Sequence, residues 1–199
     1  MKVKETLINF IFPPACALCG DVIGGTSDYV CRECRSIIEY PCEPLCLRCG
    51  CEISDAEQEL CADCSRHTRS YVKGFPAMKY QYPVDESIAA FKYHNEREHA
   101  AFYANEILRR HGKTLLDLGI DVLIPIPVHK KKLQKRGYNQ AEVLADALAD
   151  RLAIPVETEL LVRAVNTEPQ KSLDPEHRDC QTVRKRICQH LCLIVPALL

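Results

Sequence analysis

No apolar run in the sequence approaches the roughly 20 residues a helix needs to cross a bilayer, which argues against a membrane span. The longest apolar stretch near the N-terminus, Leu7 to Phe12, is too short for the core of an export signal and stops at Pro13 and Pro14. Residues 1–12 read instead as a short amphipathic segment packed on the rest. Charge of one sign is lacking as well: 26 Lys and Arg stand against 27 Asp and Glu, a formal net charge of -1. That balance excludes a histone-like grip on nucleic acid by the whole surface and leaves only local basic faces. With no export signal, the expected compartment is the reducing cytosol, where paired cysteines hold metal more often than they form disulfides.

Cysteine is what the chain has in excess, 13 in 199 residues, and its spacing is regular. Cys16-Ala-Leu-Cys19 is followed after eleven residues by Cys31-Arg-Glu-Cys34; Cys46-Leu-Arg-Cys49 is followed, again after eleven, by Cys61-Ala-Asp-Cys64. Gly20 and Gly50 each follow the first pair of a set, where a tight turn must bring backbone amides toward sulfur. Zinc takes four thiolates at tetrahedral corners, and a two-residue gap lets one turn supply two of them. The expectation is two structural sites in sequential order, Cys16, Cys19, Cys31 and Cys34, then Cys46, Cys49, Cys61 and Cys64, holding one or two ions. A cross-braced pairing is compatible with the same spacing. Cys42 and Cys51 fall outside the pattern as spare thiols. Arg32, Arg35, Arg48 and Arg66, interleaved with the knuckles, fit a nucleic-acid or protein contact and fit a solvated surface equally well.

Beyond Cys64 cysteine disappears until Cys180, and the pattern becomes that of an α/β domain, with the boundary between Ser65 and Gly74. Ala77 to Tyr82 reads as a strand or extended segment, Val84 to Tyr93 as a short helix, and Glu98 to His111 as a longer helix with Ala101, Asn105, Leu108 and neighbours on one side. Asp121 to Val128 is a buried-strand pattern whose prolines belong near its end. Asn139 suits the cap of a helix that lines up Ala141, Leu144, Ala145, Leu148 and Leu152. Ile154 to Glu157 reads as a second strand, completing a βαβ unit and favouring a parallel sheet.

Between that strand and helix lies a basic loop holding Lys130, Lys131, Lys132, Lys135 and Arg136. Open parallel sheets bind ligands beyond the carboxyl ends of their strands, where a following helix also aims its first amides. Gly137 would let backbone approach an anion closely. The cluster therefore fits a phosphate or pyrophosphate, although its spacing is no P-loop pattern and lysine runs are often simply solvated. His129 reads as a hydrogen-bonding residue rather than a general base.

DVLIPIPVHKKKLQKRGYNQAEVLA, Asp121 to Ala145, resembles the signature of the ComF family. The cysteine knuckles resemble that family's N-terminal double zinc ribbon, FKYHNER at Phe91 to Arg97 its linking segment, and RAVNTEPQKSLDPEHR at Arg163 to Arg178 its R-x-x-x-T-x-x-Q-x-x-L-x-x-x-x-R stretch. The resemblance implies a phosphoribosyltransferase-like protein associated with competence and DNA uptake. It further implies a pyrophosphate-cradling loop at Pro127 to Asn139, with His129, Lys132, Arg136, Gly137, Tyr138 and Asn139 as contacts. A mobile loop would bring catalytic Arg163, Gln170, Lys171 and Arg178, and magnesium would accompany phosphoribosyl pyrophosphate. The implied fold is an incomplete type I phosphoribosyltransferase-like parallel sheet behind a zinc-ribbon domain. Its parts are the double zinc ribbon at 1–70, the partial transferase domain at 75–178 and an aberrant tail at 179–199.

One family element does not appear: no V-D-D-[IV]-x-T-T-G-[AS]-T motif follows Arg178, where the chain reads DCQTVRKRICQHLCLIVPALL. The likeness fades near Lys185. A truncation or frameshift is one reading; a genuine short paralogue ending in an apolar helix is the other. Either way the tail is expected to add none of the remaining sheet strands, and transfer chemistry to be impaired, because positioning supplies much of the rate in such reactions. The alternative function is a non-catalytic module in which the ribbon and the basic cluster bind single-stranded DNA or a competence partner protein.

Overall fold

The computed structural model describes residues 13–24, 28–67 and 71–163, together with two short strands at 184–185 and 192–195. In chain order the elements are α1 (Arg32–Ile37), α2 (Ala62–Arg66), α3 (Val84–Tyr93), α4 (His99–Asp117), β1 (Val122–Pro125), α5 (Lys130–Arg136), α6 (Gln140–Leu152), β2 (Leu161–Val162), β3 (Arg184–Lys185) and β4 (Cys192–Val195). Two compact units divide the chain. One runs to Ala90 and takes back Ala101–Lys113; the other holds Phe91–Ala100 and everything from Thr114. Among the described residues no helix is long and apolar enough to cross a membrane.

The first unit is built on a repeat of 30 residues that extends from sequence into hydrogen bonding. Cys16 N–H donates to Asp21 O (2.7 Å) as Cys46 N–H does to Cys51 O (2.8 Å); Ala17 donates to Tyr29 O as Leu47 does to Glu59 O, both at 2.9 Å. Ile23 and Ile53 reach back to Pro14 O and Pro44 O, and the antiparallel bridges Ala15–Val22 and Leu45–Glu52 close each hairpin. Each half then enters a short helix, α1 or α2, through a cysteine at the cap position.

Against these halves stands the middle of α4. Its buried face carries Phe102, Tyr103, Ala104 and Glu106, not the stripe through Ala101, Asn105 and Leu108 expected from periodicity. The wholly buried carboxylate of Glu106 explains the shift: a charge on the packed face hides the stripe from any apolar pattern. The helix also runs past Gly112 to Asp117. A mid-helix glycine costs about 1 kcal/mol, less than the roughly 1.5–3 kcal/mol gained by burying a leucine, and Leu115 is 1% exposed. From α3, Val84 and Ile88 are buried, and Ser87 Oγ donates to Ala17 O (2.5 Å) while sharing a 2.7 Å hydrogen bond with the Tyr103 hydroxyl. Residues 77–82 form no strand. Pro76 and Pro83 bracket them, and among the described residues their ladder-type contact runs from Lys79 N–H to Glu39 O (2.9 Å).

In the second unit β1 is the centre. Leu123 bridges Val156 in parallel, with Leu123 N–H donating to Pro155 O and Glu157 N–H to Leu123 O, both 2.9 Å. The expected second strand is thus a single parallel bridge, because Pro155 has no amide to extend the ladder. On the register Val122–Cys192 through Pro125–Val195, β1 also pairs in parallel with β4. This corrects the expectations for the tail: 192–195 is extended rather than helical, and it does add a strand. β2 and β3 form a separate antiparallel pair. Mixed helix and strand is therefore the observed class, and a larger parallel sheet is not seen among the described residues. α6 buries Gln140, Ala141, Leu144, Ala145, Leu148 and Leu152, and Leu123 is fully buried.

Candidate metal centres and anion loop

Each half of the repeat gathers four thiols. The Sγ atoms of Cys16, Cys19, Cys31 and Cys34 lie within 4.8 Å of one another, and so do those of Cys46, Cys49, Cys61 and Cys64. The order is sequential, not cross-braced. Two sulfurs each about 2.3 Å from one zinc at the tetrahedral angle stand about 3.8 Å apart; Cys19–Cys31 is 3.8 Å and Cys49–Cys61 is 3.7 Å. A disulfide needs about 2.05 Å, and all of these cysteines are free thiols. The donor set and spacing fit zinc, and four thiolates leave no open position for water, which makes both centres structural.

The backbone prepares the sulfurs for metal. Cys31 N–H points at Cys16 Sγ (3.3 Å), Cys34 N–H at Cys31 Sγ (3.3 Å) and Cys64 N–H at Cys61 Sγ (3.4 Å). Burial pushes the Cys16 thiol up, but the amides around it more than offset this and bring it to about 7. The same opposition leaves Cys46 at about 6. Desolvation dominates at Cys19, raised to about 11, and at Cys64, raised to about 12. One anionic sulfur in each set can thus receive the ion, whose charge then draws protons from the others. Gly20 (φ 79°) and Gly50 (φ 78°) make the left-handed turn that returns an N–H to the carbonyl of Cys16 or Cys46 at 2.9 Å.

Of the four arginines interleaved with the knuckles, Arg35 is committed elsewhere. Its guanidinium meets Glu106 at 2.6 Å and the Tyr40 hydroxyl at 3.3 Å, so it belongs to the scaffold rather than to a nucleic-acid contact.

The basic stretch is a helix rather than a loop. His129 Nδ1 accepts from Lys131 N–H (3.3 Å) at the start of α5, and Gly137 (φ 80°) ends it by donating to Leu133 O (2.7 Å). Asn139 caps α6 through Ala141 N–H (3.2 Å) and donates to Ile126 O (3.2 Å). Tyr138 is buried, and its hydroxyl donates to Phe91 O. The side chains of His129, Tyr138 and Asn139 therefore shape this corner from within. Lys132 and Arg136 are half-buried, and Arg163, which follows β2, is half-buried beside them. Burial first, then the fields of Arg163 and Arg136, hold Lys132 below its ordinary range. Desolvation lowers Arg163 as well. Lys132 thus lies within the field of two neighbouring guanidinium groups.

Two residues of the linking segment contribute without having been marked as site residues. Arg97 lies 4.6 Å over the Tyr138 ring and donates to Gly137 O (3.3 Å); Tyr93 receives the Arg136 guanidinium at 5.0 Å. Arg136 also donates to Gln140 Oε1 (3.1 Å). The arginine and tyrosine of FKYHNER were the available signal, legible only once their partners were known. Gln170, Lys171 and Arg178 lie outside the described residues.

Residues 7–65 match the family model for the double zinc ribbon domain, the stretch that holds both thiol sets. The chain matches no curated protein and no solved structure.

Proposed function

We propose that the chain is a zinc-stapled ribbon joined to an anion-binding α/β unit of the ComF type, and that the unit takes a ribose-linked diphosphate such as phosphoribosyl pyrophosphate. The observation that carries the reading is the grouping of Lys132, Arg136 and Arg163, with Lys132 depressed by burial and by the two arginines. Supporting it are the place of the basic helix α5 after the carboxyl end of β1, at the βα junction where open parallel sheets collect ligands, and the likeness of Asp121 to Ala145 to the ComF signature. A family member of this type would act in DNA uptake in the cytoplasm.

Among the described residues the only groups of three or more metal-ligating side chains are the two thiol sets. Binding of the anion is the activity proposed here. Isothermal titration calorimetry with phosphoribosyl pyrophosphate and with inorganic pyrophosphate tests it. Saturable binding lost in Lys132→Ala and Arg163→Ala supports the reading; absence of binding to either anion overturns it.

A second reading rests on Lys130, Lys131 and Lys135, which are exposed on α5. Here they meet the phosphates of single-stranded DNA or an acidic face of a competence partner. DNA affinity would then fall steeply with salt and disappear when the three lysines are replaced together.

A further inference from the structure

Three helix ends meet at one arginine. Arg136 closes α5, Tyr93 closes α3 and Gln140 opens α6. The Arg136 guanidinium lies 5.0 Å from the centre of the Tyr93 ring and donates from Nη1 to Gln140 Oε1 at 3.1 Å. Both supports are themselves fixed. The last carbonyls of a helix have no partner within it, and at the end of α3 two side chains from beyond α5 reach them: Gln140 Nε2 donates to Lys92 O (3.4 Å) and the Tyr138 hydroxyl to Phe91 O. Gln140 is 1% exposed. With its amide bonded at both ends, it cannot turn without leaving a buried polar atom unpaired.

The stack is not a stability device. Tyr93 is 63% exposed and its hydroxyl bonds to nothing among the described residues, and an arginine stacked on a ring at so open a site contributes little to folding. Its effect is on the plane of the guanidinium. With Nη1 taken by Gln140 and one face by the ring, Nε and Nη2 make no hydrogen bond among the described residues. Those two N–H groups form the side-on edge of a guanidinium, which matches two oxygens of one phosphate. An arginine free to rotate loses side-chain entropy when it binds; one already held loses less.

We propose that Tyr93 and Gln140 are positioning residues that hold Arg136 as a bidentate receiver for one phosphate group of the ligand, an inference that rests on the anion-binding reading of this unit. The linking segment then acts on the site without touching the ligand: its tyrosine sets the angle at which the arginine offers its two donors.

The test uses the full chain loaded with zinc and inorganic pyrophosphate as the probe, with affinity from titration calorimetry and fold integrity from the thermal midpoint. Tyr93→Leu should bind about tenfold more weakly with its midpoint unchanged, and Tyr93→Phe, which keeps the ring, should bind as the unaltered chain does. Arg136→Lys keeps the charge but not the two-donor edge and should lose at least as much as Tyr93→Leu. Adding Tyr93→Leu to Arg136→Lys should cost little more, because the ring acts through the guanidinium. Full affinity in Tyr93→Leu, equal losses in Tyr93→Leu and Tyr93→Phe, or additive losses in the double variant would each overturn the positioning role. Those outcomes leave the anion-binding reading standing wherever Lys132→Ala still abolishes binding; failure of the unaltered chain to bind pyrophosphate would overturn both.

Discussion

Arg35, in the first ribbon, and Glu106, 71 residues later in α4, form a 2.6 Å ion pair in which the carboxylate is wholly buried and the arginine side chain is 20% exposed. Tyr40 donates to the other carboxylate oxygen at 2.8 Å, and Arg109 adds a weaker contact at 3.5 Å. Removing one partner of such a pair strands a desolvated charge, at a cost of about 3–5 kcal/mol, whereas replacing both by apolar groups is often near neutral. Glu106→Ala is therefore expected to lose about that much in a zinc-saturated denaturant titration. Arg35→Met with Glu106→Leu should recover most of the loss, and a double variant no better than the single one would show that the pair is not acting as a unit.

Zinc is expected at two ions per chain by elemental analysis, falling to one in Cys34→Ser or in Cys64→Ser. Structural zinc contributes about 10–16 kcal/mol of apparent binding energy in small domains, and the ribbons have little else at their centre. A strong chelator should abolish the ribbon fold, seen as loss of dispersed amide signals for 13–24 and 28–67. Acid should do the same, because protons compete with metal for the thiolates.

Gly20 and Gly50 share their positive φ but not their surroundings. A Cβ on Gly20 meets nothing within 4 Å, whereas on Gly50 it would run into the Pro76 ring and lie 3.2 Å from Gly74 O. Gly20→Ala should cost about 1–2 kcal/mol from the left-handed backbone alone. Gly50→Ala should cost more, and equal losses in thermal unfolding would remove the Pro76 contact from the account.

The depressed pKa of Lys132 gives a pH dependence with two opposite signs. A lysine held below its ordinary 10.5 in the folded state opposes folding while charged. That cost is full below the folded pKa and is relieved as pH rises from there toward 10.5, so stability gains with pH across this window. Pyrophosphate affinity runs the other way, declining at lower alkalinity than an ordinary lysine would allow. Lys132→Arg, permanently charged, should flatten the decline; the same alkaline profile in both proteins would assign it to another group.

Asn139 joins α6 to the segment after β1, so Asn139→Ala should cost about 1 kcal/mol for the cap, with a further loss from leaving Ile126 O without its donor. A urea titration separates this from Asn139→Asp, which keeps the capping oxygen. If Asn139→Asp proves as stable as the unaltered chain, the Ile126 contact contributes nothing, and if it is no more stable than Asn139→Ala, the capping oxygen contributes nothing.

The sequence by itself determined whatever depends on neighbours along the chain. Two pairs of cysteines at fixed gaps can close on one ion by a local turn, which is why eight paired ligands follow from spacing, whereas their sequential rather than cross-braced order is decided by the fold. α3 and the packed face of α6 follow from periodicity, and the Asn139 cap from a side-chain oxygen that reaches the first turn of its own helix. Tertiary structure alone decided the rest. Glu106 reads as a solvent residue until Arg35 and Tyr40 arrive from the ribbon; 154–157 and 192–195 take their roles from β1 beside them. Lys132 and Arg163 become one electrostatic site only when β2 ends near α5. In each case the deciding energy is desolvation offset by a partner distant in sequence, which no pattern along one chain can record.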